Sequence, residues 1–128
     1  VPVPVPPALP AALQALDAAL DAPRRPGVAL GNWRWVVRQR MGAVRDALVG
    51  EAAGSDDGWL AARGGSAFRE RNALLARLGA FGPAILETSD VEATRAELKR
   101  LLLDIQRHVQ RLHDLAYDEV ELELGGSE

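Results

Sequence analysis

Cysteine is absent from the 128 residues. That absence excludes a disulfide scaffold, a zinc–cysteine site, an iron–sulfur cluster and thiol catalysis. Aromatics are scarce, with three Trp, two Phe and one Tyr, and Lys99 is the single lysine. No run approaches the roughly 18 apolar residues that cross a bilayer, and the opening carries no signal-peptide pattern. A cytoplasmic protein with no membrane contact is the expectation. The chain opens on Val1 rather than Met, as a fragment or a trimmed chain does. Nucleophiles are poorly placed: the few serines fall at expected caps and loops, and no G-x-S-x-G occurs. Arg63-Gly64-Gly65-Ser66 precedes a helix, but without the Lys and spacing of a phosphate loop it reads as a loop with a helix cap.

What is present is an ordinary globular composition, 48% hydrophobic and 26% charged, on a chain of one domain's length. The net charge of −3 is unevenly spread. Residues 1–50 carry six Arg and three acids, whereas residues 90–128 carry five bases and ten acids. Phosphate neutralisation dominates nucleic-acid affinity, so a mildly acidic chain excludes nucleic acid as the main partner. Helices of opposite sign packed together account for the gradient.

The first ten residues, V-P-V-P-V-P-P-A-L-P, set proline at alternate positions and predict an extended, polyproline-like arm. Such an arm is either a docking segment for an aromatic groove or, as termini more often are, a leader along the bundle. Leu9, Leu13, Leu16 and Leu20 follow helical spacing, and a short helix should stop before Pro23. A longer one is predicted from about Gly31 to Ala53, capped by Asn32, with Trp33, Val37, Met41, Val44 and Leu48 on one stripe. Trp35 and Val49 point away from that stripe, while Arg34, Arg38 and Arg45 line a basic edge suited to the acidic last helix. A third helix is expected from Ser66 to about Ala80, resuming after the Gly82-Pro83 step. Ser89 or Asp90 caps a fourth, running to about Tyr117 with Val91, Leu98, Leu102, Ile105, Val109, Leu112 and Ala116 inward.

Glu119-Val120-Glu121-Leu122-Glu123-Leu124 alternates strictly, as a half-buried strand does, with no second strand in the chain to pair with it. It is therefore read as an extended strap over residues 119–128, or as an edge for another chain. The expected fold is all-α: an antiparallel up-and-down helical bundle over residues 11–118, between a Pro-rich arm at 1–10 and that tail. A homodimer seam using Trp35 and Val49 is one reading of the large apolar residues left outside the stripe. An unknown protein partner is the other.

His108 and His113 are the acid–base and metal candidates at neutral pH. Five residues apart, they differ by about 140° around a helix and do not readily ligate one ion together. Asp104 shares an edge with His108, and Glu97 lies two turns earlier. Glu51 is the one acid near the apolar side of the second helix. A metal between helices needs further ligands from other helices, whose inward stripes are otherwise Trp, Val, Leu and Phe. His108 reads more simply as a boundary histidine hydrogen-bonded to a neighbouring helix, and His113 as exposed.

Arg107-His108-Val109-Gln110-Arg111, followed by Asp114-Leu115-Ala116-Tyr117-Asp118 and a Gly125-Gly126 ending, resembles actinobacterial hemerythrin-like proteins. The segment from Trp33 to Val49 is similar to the first bundle helix of that group. Phe68-Arg69-Glu70-Arg71-Asn72-Ala73-Leu74-Leu75 is similar to the next, so the likeness covers roughly residues 31–126. It implies an up-and-down four-helix bundle whose better-known members hold a di-iron, oxygen-binding site with His and carboxylate ligands. Carried over residue by residue, His108 is kept, and His113 with Asp118 has the family's His-x4-Asp spacing. Gly50 and Glu51 stand where the family often has a histidine, and so does Asn72. The resemblance therefore implies a degenerate member: no metal or cofactor, no catalytic residue, and a binding or regulatory role. Its alternative is an iron site built on His108, His113 and Asp118 with Glu51 or Glu70.

Overall fold

In the structure, a computed structural model, residues 8–54 and 65–126 are described, with side chains over 8–50 and 65–114. Leu9, Leu13, Leu16 and Leu20 recur at steps of four, three and four, and all are buried along helix α1, Ala8–Leu20. Pro10 is tolerated as its third residue because first-turn amides have no intrahelical acceptor. The end of α1 tightens, with Asp21 N donating to Ala18 O and Ala22 N to Ala19 O, both at 3.2 Å. Pro23 then prevents continuation. Of the Pro-rich arm expected over residues 1–10, Ala8–Pro10 belong instead to α1, and residues 1–7 lie outside the described residues.

Helix α2 is Val28–Gly54. It starts a turn before the expected Asn32 cap, because Gly27 makes the turn. Gly27 adopts φ 103, where glycine has no Cβ penalty, and its carbonyl accepts Gly31 N at 3.1 Å. Asn32 thus sits exposed inside the helix. Trp33, Val37, Met41, Val44 and Leu48 are buried as their spacing predicts.

Helix α3 is Ser66–Glu87 and runs through Pro83 without a break. Its first turn is closed by Arg69 N donating to Gly65 O at 2.8 Å, and its last by Thr88 N donating to Ala84 O at 2.8 Å. Gly82 and Ile85 are buried beyond the point where the helix was expected to pause. Burial on both sides of Pro83 outweighs the one backbone bond that proline removes.

Helix α4, Val91–Gly126, has 36 residues. Asp90 caps it, its Oδ1 accepting Ala93 N at 3.1 Å. The extended tail expected over residues 119–128 is not what the structure has: the backbone stays helical to Gly126. Glu and Leu are strong helix formers, and adding residues to an existing helix avoids the cost of nucleation. An alternating pattern with no strand to pair with does not compete.

The described residues thus form four helices. α1 packs on α2 and α4, and α3 packs on α2 and α4, around one apolar core. No helix among the described residues is long and apolar enough to cross a membrane.

Candidate functional site

On α4 the stripe of Leu98, Leu101, Leu102, Ile105 and Leu112 is interrupted by His108, which is fully buried. A buried imidazole needs a partner, and Glu70 of α3 supplies one, its Oε1 2.7 Å from His108 Nδ1. Arg111, one turn along α4, donates Nε to the same Oε1 at 3.0 Å and Nη2 to Oε2. Burial alone pushes the Glu70 carboxyl up, but the hydrogen bonds from Arg111 and His108 and their charges hold it below the ordinary carboxylate value. An ionised carboxylate only accepts, which assigns the His108 proton to Nδ1. Glu70 is therefore held by two donors from α4, one of them a two-pronged guanidinium.

Beside this triad lies Arg71, only 5% exposed, with Cζ 4.8 Å from the centroid of the Phe68 ring. Sequence reading passed over it. The signal was there: Ala67, Arg71, Leu74 and Leu78 step by four, three and four, so position 71 belongs to the buried stripe. The aromatic face of Phe68 helps carry the charge inward.

Of the other site candidates, His113 and Asp104 have described side chains, and neither bonds to this triad. His113 is exposed. Asp104 takes Arg77 of α3 at 2.8 Å and Arg107 at 3.5 Å. The side chains of Glu51 and Asp118 lie outside the described residues. Among the described residues no three His, Cys, Asp or Glu side chains gather as a metal would require.

Charge pairing runs between different helices than the sequence suggested. The bases of α4 meet Asp17 of α1 and Asp21 just beyond its end: Lys99 Nζ lies 2.8 Å from Asp17 and 3.0 Å from Asp21, and Arg95 reaches Asp21 and the Leu20 carbonyl. Arg24, in the α1–α2 connection, pairs with Glu92 at 2.6 Å. Among the described residues, the basic edge of α2 pairs with no acid of the last helix. Arg34 donates to the carbonyls of Ile85 at 3.0 Å and Thr88 at 2.8 Å, capping the end of α3. Arg38 lies over Gly82, and Arg45 pairs with its neighbour Asp46 at 3.8 Å.

The outward face of α2 is apolar where a solvated helix face is normally charged. Val28 is 82% exposed, Trp35 58% and Val49 47%. Between these positions lie Asn32, Gln39, Gly42 and the charged Asp46, while Arg38 and Arg45, both exposed, run along one edge of the strip. Compared with family models, with curated proteins and with solved structures, the chain matches none.

Proposed function

We propose that this chain is a non-enzymatic interaction module: an antiparallel up-and-down four-helix bundle that presents the outer face of α2 to a protein partner. The observation that carries the reading is Trp35, a large aromatic more than half exposed in line with the exposed Val28 and Val49. Exposed tryptophan in an apolar strip is what interfaces bury at their centres. The antiparallel arrangement is supported by three registers. Arg34 near the start of α2 meets the end of α3, Arg77 and Glu70 of α3 meet Asp104 and Arg111 in that order along α4, and Arg95 and Lys99 meet Leu20 and Asp17.

The hemerythrin-like resemblance fits this bundle with a lost metal centre. Glu70, the carboxylate hydrogen-bonded to His108, has both oxygens engaged by Arg111. A metal would have to displace a guanidinium before reaching it. Protein grown with iron and manganese should hold less than about 0.1 metal ion per chain by elemental analysis; stoichiometric iron would establish the di-iron alternative. The interaction itself is tested by placing a photo-crosslinking residue at Gln39 and, as control, at Arg100. Adducts in cells from position 39 but not from 100 are expected, and their absence overturns the reading.

A further inference from the structure

We infer that the partner covering this face is a second copy of the chain, packed α2 against α2 in opposite directions about a two-fold axis, with Trp35 of each copy seated over Gly42 of the other. The inference rests on the reading of the outer face of α2 as an interaction surface.

Its basis is a self-complementary pattern. Val28, Trp35, Gly42 and Val49 recur at intervals of seven, the repeat that keeps one seam facing a partner helix. Reversed about the point between Arg38 and Gln39, the series V-W-G-V becomes V-G-W-V. Val28 then meets Val49, and the largest side chain of the seam meets the smallest. A parallel pairing would instead stack Trp35 on Trp35, leave a gap at Gly42 and oppose Asp46 to Asp46, which like charge disfavours.

The glycine supports the same arrangement. A Cβ on Gly42 would meet nothing nearer than Arg38 Nη1 at 4.0 Å, and its φ lies outside the left-handed region. Among the described residues of this copy nothing gives a reason for glycine at that point of a helix, where alanine is better by roughly 0.5–1 kcal/mol. A socket for an indole gives one. Gly31, which faces the other copy's Asp46 in this register, likewise has nothing within 4 Å of its Cβ position.

The cations along the edge of the seam have contacts within the copy, Arg45 with Asp46 at 3.8 Å. Arg34 is drawn to the carbonyls of Ile85 and Thr88, and Arg38 lies over Gly82. The stretch from Val28 to Val49 gives a contact about 30 Å long. Two such faces bury on the order of 1,000–1,300 Å², at the low end for a specific interface, so a dimer of roughly micromolar strength is expected.

Sedimentation of the purified chain from about 1 to 100 μM should show the mass rising from 13.7 kDa toward twice that value. Gly42→Trp alone and Trp35→Ala alone should each weaken the dimer at least about tenfold. Combining them re-creates the complementary pair in reverse and should restore most of the affinity. Direction is read by disulfides, which the Cys-free background makes unambiguous. A Val28→Cys chain mixed with a Val49→Cys chain should cross-link, while Val49→Cys alone should not. A monomer throughout the range, or cross-linking of Val49→Cys with itself, overturns the inference. If the purified chain stays monomeric while position 39 captures a different protein in cells, the second copy is wrong and the interaction module stands.

Discussion

A methyl group on Gly82 would stand 3.3 Å from Nε of Arg38, the guanidinium of α2 lying flat against the glycine of α3. That contact is tight, but its far side is the end of a flexible, exposed side chain. Gly82→Ala should therefore shift Arg38 by a few tenths of an ångström and change stability by less than about 0.5 kcal/mol. Gly79→Ala, three residues earlier with nothing within 4 Å, should gain the full helix preference of roughly 0.5–1 kcal/mol. Gly27→Ala should destabilise, because φ 103 is unfavourable for any residue with a Cβ. Chemical denaturation of the three variants side by side checks the ranking.

Glu70 links α3 to α4 through an ion pair and a buried imidazole, and it should give the protein an acid limit. Its carboxyl sits below the ordinary value of about 4.5. It therefore adds stability that is present above that pH and is lost as pH falls through the folded value. Asp21 and Glu92 are lowered too, by Lys99 with Arg95 and by Arg24 respectively, so the loss continues in Glu70→Gln but is shallower. At pH 7 that variant should be less stable by about 1–3 kcal/mol, since buried His108 loses an ionised acceptor. At the other end Lys99 is raised above 10.5 by Asp17 and Asp21, and its contribution disappears only as pH rises through that higher value. Urea midpoints measured from pH 2 to 11 test both limbs.

Pro83 removes one backbone hydrogen bond from the middle of α3. Pro83→Ala should restore an N–H aimed at the Gly79 carbonyl and raise stability by about 1 kcal/mol or more. Amide exchange at residues 83–87 should slow in step. A loss of stability would mean that the packing of Gly82 and Ile85 depends on the ring itself.

Trp33 is 3% exposed and its Nε1 has no acceptor among the described residues. Phenylalanine would remove that unmet donor while losing part of the indole volume. The two effects oppose one another, so Trp33→Phe should cost less than about 1.5 kcal/mol. Ile105→Ala, which empties a fully buried position without relieving anything, should cost about 2–5 kcal/mol. Thermal unfolding of both variants gives the comparison.

The helical stripes were readable because a 3.6-residue period is local: Leu9 to Leu20, Trp33 to Leu48 and Leu98 to Leu112 are buried where their spacing places them. Reading failed where a short pattern competed with its surroundings. The alternation from Glu119 to Leu124 has a strand's period, yet it continues an already formed helix and has no strand beside it. Pro83 and Asn32 carry strong local preferences, and in each case packing or an earlier turn decided the outcome. The pairing of charges was not legible at all. Which group meets Arg34 or Lys99 depends on the rotation and register of whole helices, and one residue's slip turns a side chain by about 100°.

By itself, then, the sequence determined that this chain is helical, which faces of its helices go inward, and that it carries no thiol. Those follow from composition and periodicity along a single chain. The tertiary structure alone decided that Glu70 is held between His108 and Arg111, that Arg71 is carried inside, and that Arg34 caps α3 instead of pairing with α4. These contacts join residues far apart in the chain, and only the packing of one helix on another brings such groups within hydrogen-bonding distance.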